Sequence, residues 1–457
     1  MKTRITEGGN GMKYLVRILL GLFVFSWSTS VSAAAGTLAE YREAKKTYIS
    51  AAACMAAYSS RPGSLAVAAF QQEGWHVEPY KQVGDKAEAD YMLAWYTGSK
   101  SDRDIYILAV AGTENVRDVI VDLRTKKVYF AGATIEEFAA NAARKDLPPD
   151  VPRVHEGFNQ ATQVLLSAET AQANDALSGT SRRLSNILKE DHEDKVYLVG
   201  HSLGGAVVTL LAERLLDMGV RPNQIEVVTF GAPAVGNEAF VQKYDGKVAV
   251  TRIVVADDPI PNALRKVFGG YRHIGREVVW PATDPLKTYF AHDVPVYMDL
   301  ALKDYYTKRR AAINEGLLAR SEPIADKNRI YVAAIKNSLP SELKSEFAFM
   351  QEALWDEYDR ILPGYVADLG EKSALTNLEK AAAAGCTLMV ASEVQAVRVR
   401  ENNSYYVSLN QTVYRVSDGV AVNVGIFGSN TKELTPLGAL IHGARTMNQE
   451  SASWAAK

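Results

Sequence analysis

Two cysteines, Cys54 and Cys386, are all that the 457 residues contain. Two thiols cannot build a disulfide framework, so the fold must rest on a hydrophobic core. Whether the two pair in an oxidising compartment or stay as buried thiols is left open by the sequence. Cysteine pairs and histidine pairs at metal-ligand spacing are missing, which argues against a catalytic metal. Asp191-His192-Glu193-Asp194 is the nearest approach to a metal cluster, and an acidic loop ahead of a strand is usually solvated. A large charge of one sign is lacking too. The formal net charge is −2, and without residues 1–33 the balance is 47 basic against 52 acidic side chains. Such a mildly acidic surface disfavours nucleic acid as a partner. After the first 33 residues no second long apolar run follows, so nothing downstream reads as a membrane span.

What is present suits a soluble globular chain of two or three domains, with 47% hydrophobic and 23% charged residues. Lys13 precedes an apolar stretch from Tyr14 to Trp27, and Val31-Ser32-Ala33 supplies small residues for cleavage. Residues 1–33 are therefore expected to be a secretory signal peptide, and the mature protein to be periplasmic or extracellular.

Residues 38–58 are alanine-rich with helical spacing. From Trp75 to about Tyr305, β-branched runs alternate with amphipathic segments. Residues 91–96, 105–110, 195–199, 225–229 and 248–255 read as strands, and their alternation with helices implies a mainly parallel sheet covered on both faces. Composition changes after Lys303. Residues 306–328 are expected to be a linker or connecting helix, and 329–457 a smaller α+β domain. That domain reads as a strand at 330–335, helices at 343–361 and 374–384, strands at 387–391, 394–400, 405–414 and 420–427, and a terminal helix near 437–447.

Gly200-His201-Ser202-Leu203-Gly204 follows the apolar run 196–199 and precedes a helix-like segment to Leu216. A serine on a sharp strand-to-helix turn needs small neighbours, because the turn is strained and the helix crosses closely. The Leu203 amide, at the helix start, can donate to an oxyanion. Serine needs a general base held by a carboxylate. Downstream histidines are His273, His292 and His442, and Asp258 follows the strand-like run 252–255 with Asp257 as its rival. Ser202, Asp258 and His292 make the expected triad. His155 and His201 are expected to hold backbone or fill space beneath the turn, and His442 to lie on a surface helix.

Five ordered blocks carry a resemblance. These are residues 107–114 with 116–118 and 122–123, then 154–158, 200–206, 229–233 and 235–237. Together they resemble the class 3 lipase family, whose fungal members are triacylglycerol lipases. The likeness spans about residues 38–305 and implies an α/β-hydrolase domain over 34–305. It further implies that Thr113 and Leu203 form the oxyanion hole, that Asp258 is the triad acid, since Pro261 follows in an Asp-x-x-Pro pattern, and that His292 is the base. His273 matches a non-catalytic block. Ala111 stands where the family usually has arginine, and Val119 where it has a bulky aromatic, so the lid departs from the pattern. The longer stretch between Leu123 and Val154, including 135–143, is expected to enlarge that lid.

The resulting expectation is an exported serine carboxylester hydrolase, a lipase or phospholipase that needs no cofactor and touches lipid surfaces through its lid. The alternative is a weak or inactive hydrolase scaffold that serves as a cell-envelope binding module, with residues 329–457 docking to an envelope partner.

Overall fold

The computed structural model describes residues 35–58, 60–72, 74–83, 88–96, 103–112, 126–167, 170–171, 181–267, 269–281, 290–318, 330–362, 364–370, 373–399 and 404–455. The expected signal segment 1–33, the expected lid stretch 113–125 with Thr113, and residues 319–328 of the expected linker lie outside these residues.

Helix α1 covers residues 35–56 and α2 Arg61–Gln72. The first strands are β1 (His76–Val83), β2 (Glu88–Tyr96), β3 (Ile105–Val110) and the short β4 (Lys127–Tyr129). Next come α3 (Ile135–Ala142), β5 (Arg153–His155), α4 (Glu156–Ser167), the two-residue strands β6 (Thr170–Ala171) and β7 (Ser181–Arg182), and α5 (Leu184–Glu190). The elbow lies between β8 (Lys195–His201) and α6 (Leu203–Asp217). It is followed by β9 (Ile225–Phe230), α7 (Glu238–Tyr244), β10 (Ala249–Val255), α8 (Ile260–Val267), β11 (Arg276–Trp280) and α9 (Val294–Asn314).

Seven strands form one sheet in the order β1-β2-β3-β8-β9-β10-β11. From β3 to β11 every pairing is parallel, while β1 and β2 add antiparallel ribbons. Side chains alternate across a strand, and here both faces are covered. Tyr106, Leu108 and Val110 enter the core beneath α4 and α6, whereas Ile107 and Ala109 enter the core shared with α1 and α9. Double coverage explains why the central strands read as continuous apolar runs. The two strands missed in the sequence, β1 and β11, are the sheet's edges. β1 carries Pro79, which an edge tolerates and a central strand does not. β11 is exposed or half-buried throughout, so its apolar pattern is weak.

The stretch expected to enlarge the lid is instead partly core. Thr134 caps α3 by accepting from the Glu137 amide, and Phe138 is fully buried. Its ring lies 3.9 Å from the buried Arg214 guanidinium, which also sits 3.5 Å from Phe130.

The C-terminal sheet has the order β14-β12-β15-β16-β17, with β13 also pairing to β15. Its elements are β12 (Ile330–Val332), β13 (Lys336–Ser338), α10 (Phe347–Ile361), β14 (Tyr365–Ala367), α11 (Asn377–Ala383), β15 (Leu388–Val399), β16 (Ser404–Arg415), β17 (Ala421–Asn430) and α12 (Pro436–Ala455). Helices α10 and α12 cover one face, and α11 covers part of the other. The stretches 387–391 and 394–400 are a single long strand, β15.

The expected domain edge at residue 305 falls inside α9. Leu300 and Ala301 belong to the core under the seven-stranded sheet, and Leu302 and Tyr306 to the C-terminal core. Cys54 and Cys386 are free and buried in different cores.

Candidate active site

Ser202 has φ 56° and ψ −127°, the one positive φ at a non-glycine among the described residues. Backbone of this kind is costly for any residue but glycine and persists where surrounding structure enforces it. Three contacts enforce it. The Ser202 amide donates to Phe230 O at 2.9 Å, the Ser202 carbonyl accepts the first bonds of α6, and α6 is packed so tightly that a Cβ on Gly204 would meet Val110 O at 2.1 Å. Gly112, at the end of the β3 strand path, lies so near that its Cβ would touch Ser202 Cβ at 2.8 Å.

Asp258 and His292 come together from different loops. Asp258 follows β10 and His292 precedes α9, and both are buried. His292 Nδ1 and Asp258 Oδ2 are 2.7 Å apart. With Nδ1–H donating to the carboxylate, Nε2 is left as the basic nitrogen. That nitrogen is buried and without a hydrogen bond among the described residues. Asp258 Oδ1 accepts from the Ile260 amide at 2.8 Å. Gly231 has φ 62°, and a Cβ there would meet Asp258 Oδ2 at 2.7 Å and His292 Nδ1 at 3.0 Å. This position therefore needs glycine twice over, for conformation and for space. Asp257, the rival acid, is exposed.

Tyr297, one turn into α9, was not singled out in the sequence. Its hydroxyl donates to Asp258 Oδ2 at 2.6 Å and accepts from the Val255 amide at 3.1 Å. Burial, with the Asp258 charge beside it, pushes this phenol well above its ordinary range, so it stays a donor. Tyr58, just after α1, was also unmarked. The Gly112 amide donates to its hydroxyl at 2.9 Å, and the hydroxyl lies 2.7 Å from His201 Nδ1. His201 Nε2 is 2.6 Å from the His292 carbonyl. Burial, and then the nearby His292, lower the His201 pKa well below its ordinary value, so this ring is neutral. The consistent assignment is Nε2–H donating to His292 O while Tyr58 O–H donates to Nδ1. One neutral ring thus ties the backbone of His292 to the end of β3, as the expectation of a backbone-holding role required.

Leu203 opens α6, where a helix's first amides have no intrahelical acceptor. Its N–H is the candidate donor to an oxyanion, and its expected companion Thr113 lies outside the described residues. His155 is buried against Phe158 and Tyr271, and His273 Nε2 is 2.9 Å from Pro261 O. His442, expected on a surface, is instead 7% exposed. Helix α12 turns it inward, because the C-terminal domain packs that face against α1 and α9.

Residues 107–268 match the model of the family described as Lipase (class 3). The chain is 29% identical over 216 residues to secreted mono- and diacylglycerol lipase 1 of Fusarium solani, covering 47% of this chain and 55% of that protein. It is 26% identical over 250 residues to the chloroplastic galactolipase DONGLE of Arabidopsis thaliana, covering 47% and 52%. Among solved structures, the Rhizomucor miehei triacylglyceride lipase is 20% identical at a TM-score of 0.37, covering 52% of this chain and 80% of that one. The chain spans about half the length of these two curated relatives. The doubly covered, mainly parallel sheet with a serine on its strand-to-helix turn has the architecture of an α/β-hydrolase, and within it residues 107–268 match the class 3 lipase family.

Proposed function

We propose that this chain is an exported serine carboxylester hydrolase that cleaves acyl lipid esters of the lipase or phospholipase kind. The observation that carries the reading is the strained Ser202 at the head of α6, next to His201, whose ring packs 4.7 Å from that of His292, with His292 paired to Asp258 and its Nε2 without a hydrogen-bond partner among the described residues. Ser202 Oγ attacks the ester carbonyl while His292 Nε2 takes its proton, and Asp258 stabilises the imidazolium. Amides of Leu203 and Thr113 hold the tetrahedral oxyanion. Collapse expels the alcohol, protonated by His292, and leaves an acyl-enzyme on Ser202. A water activated by the same histidine then releases the acid. Apo hydrogen bonds at such sites often close only around substrate, which accommodates the missing Ser202–His292 bond.

The substrate class follows the relatives, whose names are those of acylglycerol and galactolipid hydrolases. Export, contact with a lipid surface through residues 113–125 and an envelope partner for residues 329–457 belong to the same proposal.

The test is labelling of the purified chain with a fluorophosphonate, beside Ser202→Ala, with the modified peptide located by mass spectrometry. Labelling at Ser202, and loss of hydrolysis of about a thousandfold or more in the variant, is the expected result. A folded wild type that neither labels nor hydrolyses any acyl ester would overturn the reading in favour of a binding module.

A further inference from the structure

The outer strand of a sheet leaves a row of N–H and C=O groups unpaired, and proteins usually guard that row with proline, charge or shortness. β1 carries Pro79 together with Glu78 and Lys81, β11 opens on Arg276 and Glu277, and β14 is three residues long. β17 has none of these devices. It runs ten residues without a charge or a proline and pairs with β16 alone. Its other side meets no backbone partner among the described residues. A register shift opposite Val413 and Tyr414 leaves Val422 as an extra residue at its start, and residues 423–430 then run regularly along β16.

The side chains of this edge are apolar where they meet water. Phe427 packs into the core beneath α12, so Val424 and Ile426, one residue to either side of Gly425, face the opposite way. They are 69% and 70% exposed. With Val420 and Val422 beside them, and Val397 and Tyr406 on the neighbouring strands, they make six of the ten large hydrophobics exposed among the described residues. Single exposed apolar side chains are ordinary, but a group on one sheet marks a contact surface. Charge does not oppose a contact here. Arg415 pairs with Asp418 just before the strand, Lys432 is followed by Glu433 just after it, and Glu393, on the same face of β15, is met by Lys336.

We infer that β17 is a dimer interface, pairing antiparallel with β17 of a second copy of this chain. An antiparallel pair of identical strands is two-fold symmetric, so the neutral edge meets itself. With the axis at Gly425, Val424 of each copy faces Ile426 of the other. The end bearing Arg415 and Asp418 then meets the end bearing Lys432 and Glu433. Opposed β-branched side chains stabilise antiparallel strands, and this register opposes four of them. Because both copies use the same edge, the assembly closes at two. The strand is about 33 Å long, which gives a contact at the small end for specific interfaces, so the dimer forms at micromolar concentrations. The inference is independent of the hydrolase reading and uses none of its residues.

Sedimentation velocity of the full chain across micromolar concentrations is expected to show a shift from one copy to two. Ile426→Lys alters both symmetry-related pairs and should raise the dissociation constant about tenfold or more. Val424→Lys does the same and serves if the first variant fails to fold, as judged by thermal melting. Val424→Glu combined with Ile426→Lys in one chain sets opposite charges across the axis, and this double variant regains the dimer. A wild type that stays monomeric throughout overturns the inference. So does a dimer that the folded lysine variants leave unchanged, or one that the double variant fails to regain. A monomer that floats with phosphatidylcholine vesicles, and no longer does so as Ile426→Lys, also overturns it, because the patch would then face lipid.

Discussion

Glu213, in the interior of α6, has no exposed surface, and neither carboxylate oxygen finds a hydrogen-bond partner among the described residues. Burial, and then the charge of Asp217, push its pKa up to about 8. An acid whose folded pKa lies above its unfolded value is held more tightly as the protonated form. Its contribution to stability is complete below about pH 4 and declines as pH rises towards the folded value. Glu213→Gln should therefore be more stable than wild type at pH 8 by on the order of a few kcal/mol, with the gap closing as pH falls to about 4. Urea melts across that range would show it, and parallel pH dependence in the two proteins would refute it. Tyr297 supports a second prediction. Phenylalanine there strips a hydrogen bond from Asp258 and leaves the Val255 amide unmet. Turnover should fall about tenfold, with a loss of about 1–3 kcal/mol in stability. Tyr297→Phe with wild-type kcat/KM would show that Asp258 does not need the phenol. Sequence alone marked Ser202, Asp258 and His292 because each sits in a local pattern. Tyr58 and Tyr297 were missed because a tyrosine on a helix carries no sign of what its hydroxyl will reach.

At the level of elements, the central strands and α6 were legible because a doubly covered sheet forces unbroken apolar runs. Edges lack that constraint, so β1 and β11 were invisible. Helix α3 shows the converse limit. Its short amphipathic pattern suits a lid or a core cover equally, and only the packing of Phe138 against Arg214 decides. Phe138→Ala should cost about 3–5 kcal/mol, as for other fully buried aromatics. A loss below about 1 kcal/mol in chemical denaturation would return α3 to the lid. The turn after β9 is equally unforgiving. Gly231→Ala should destabilise the fold and separate Asp258 from His292, lowering activity beyond what the stability loss explains, as steady-state kinetics on the folded fraction would show.

Across the whole molecule, α9 binds the two cores into one unit. Lys303 is buried between Asp299 and Glu346, and Arg309 reaches Glu352 and Asp356 on α10. Buried ion pairs add little over a well-packed apolar alternative, but removing one member leaves the others uncompensated. Lys303→Ala should cost about 3–5 kcal/mol and lower the melting of the N-terminal and C-terminal cores together. Two separated calorimetric transitions, only one of them shifted, would show that the domains fold independently. The edge expected at residue 305 was set by a change in composition, and composition does not register a helix whose successive turns face different cores.

The central strands, the helix α6 and the turn at Ser202 were determined by the sequence, since each follows from short-range periodicity or glycine spacing, and chain order named Asp258 and His292 as the candidate acid and base. Tertiary structure alone decided what lies far apart along the chain yet close in space. Tyr58 joined to Gly112 and His201, Tyr297 set against Asp258, and His442 turned inward all depend on how helices cross. No local pattern of residues encodes such crossings, because they are settled by the collective packing of side chains from every part of the chain.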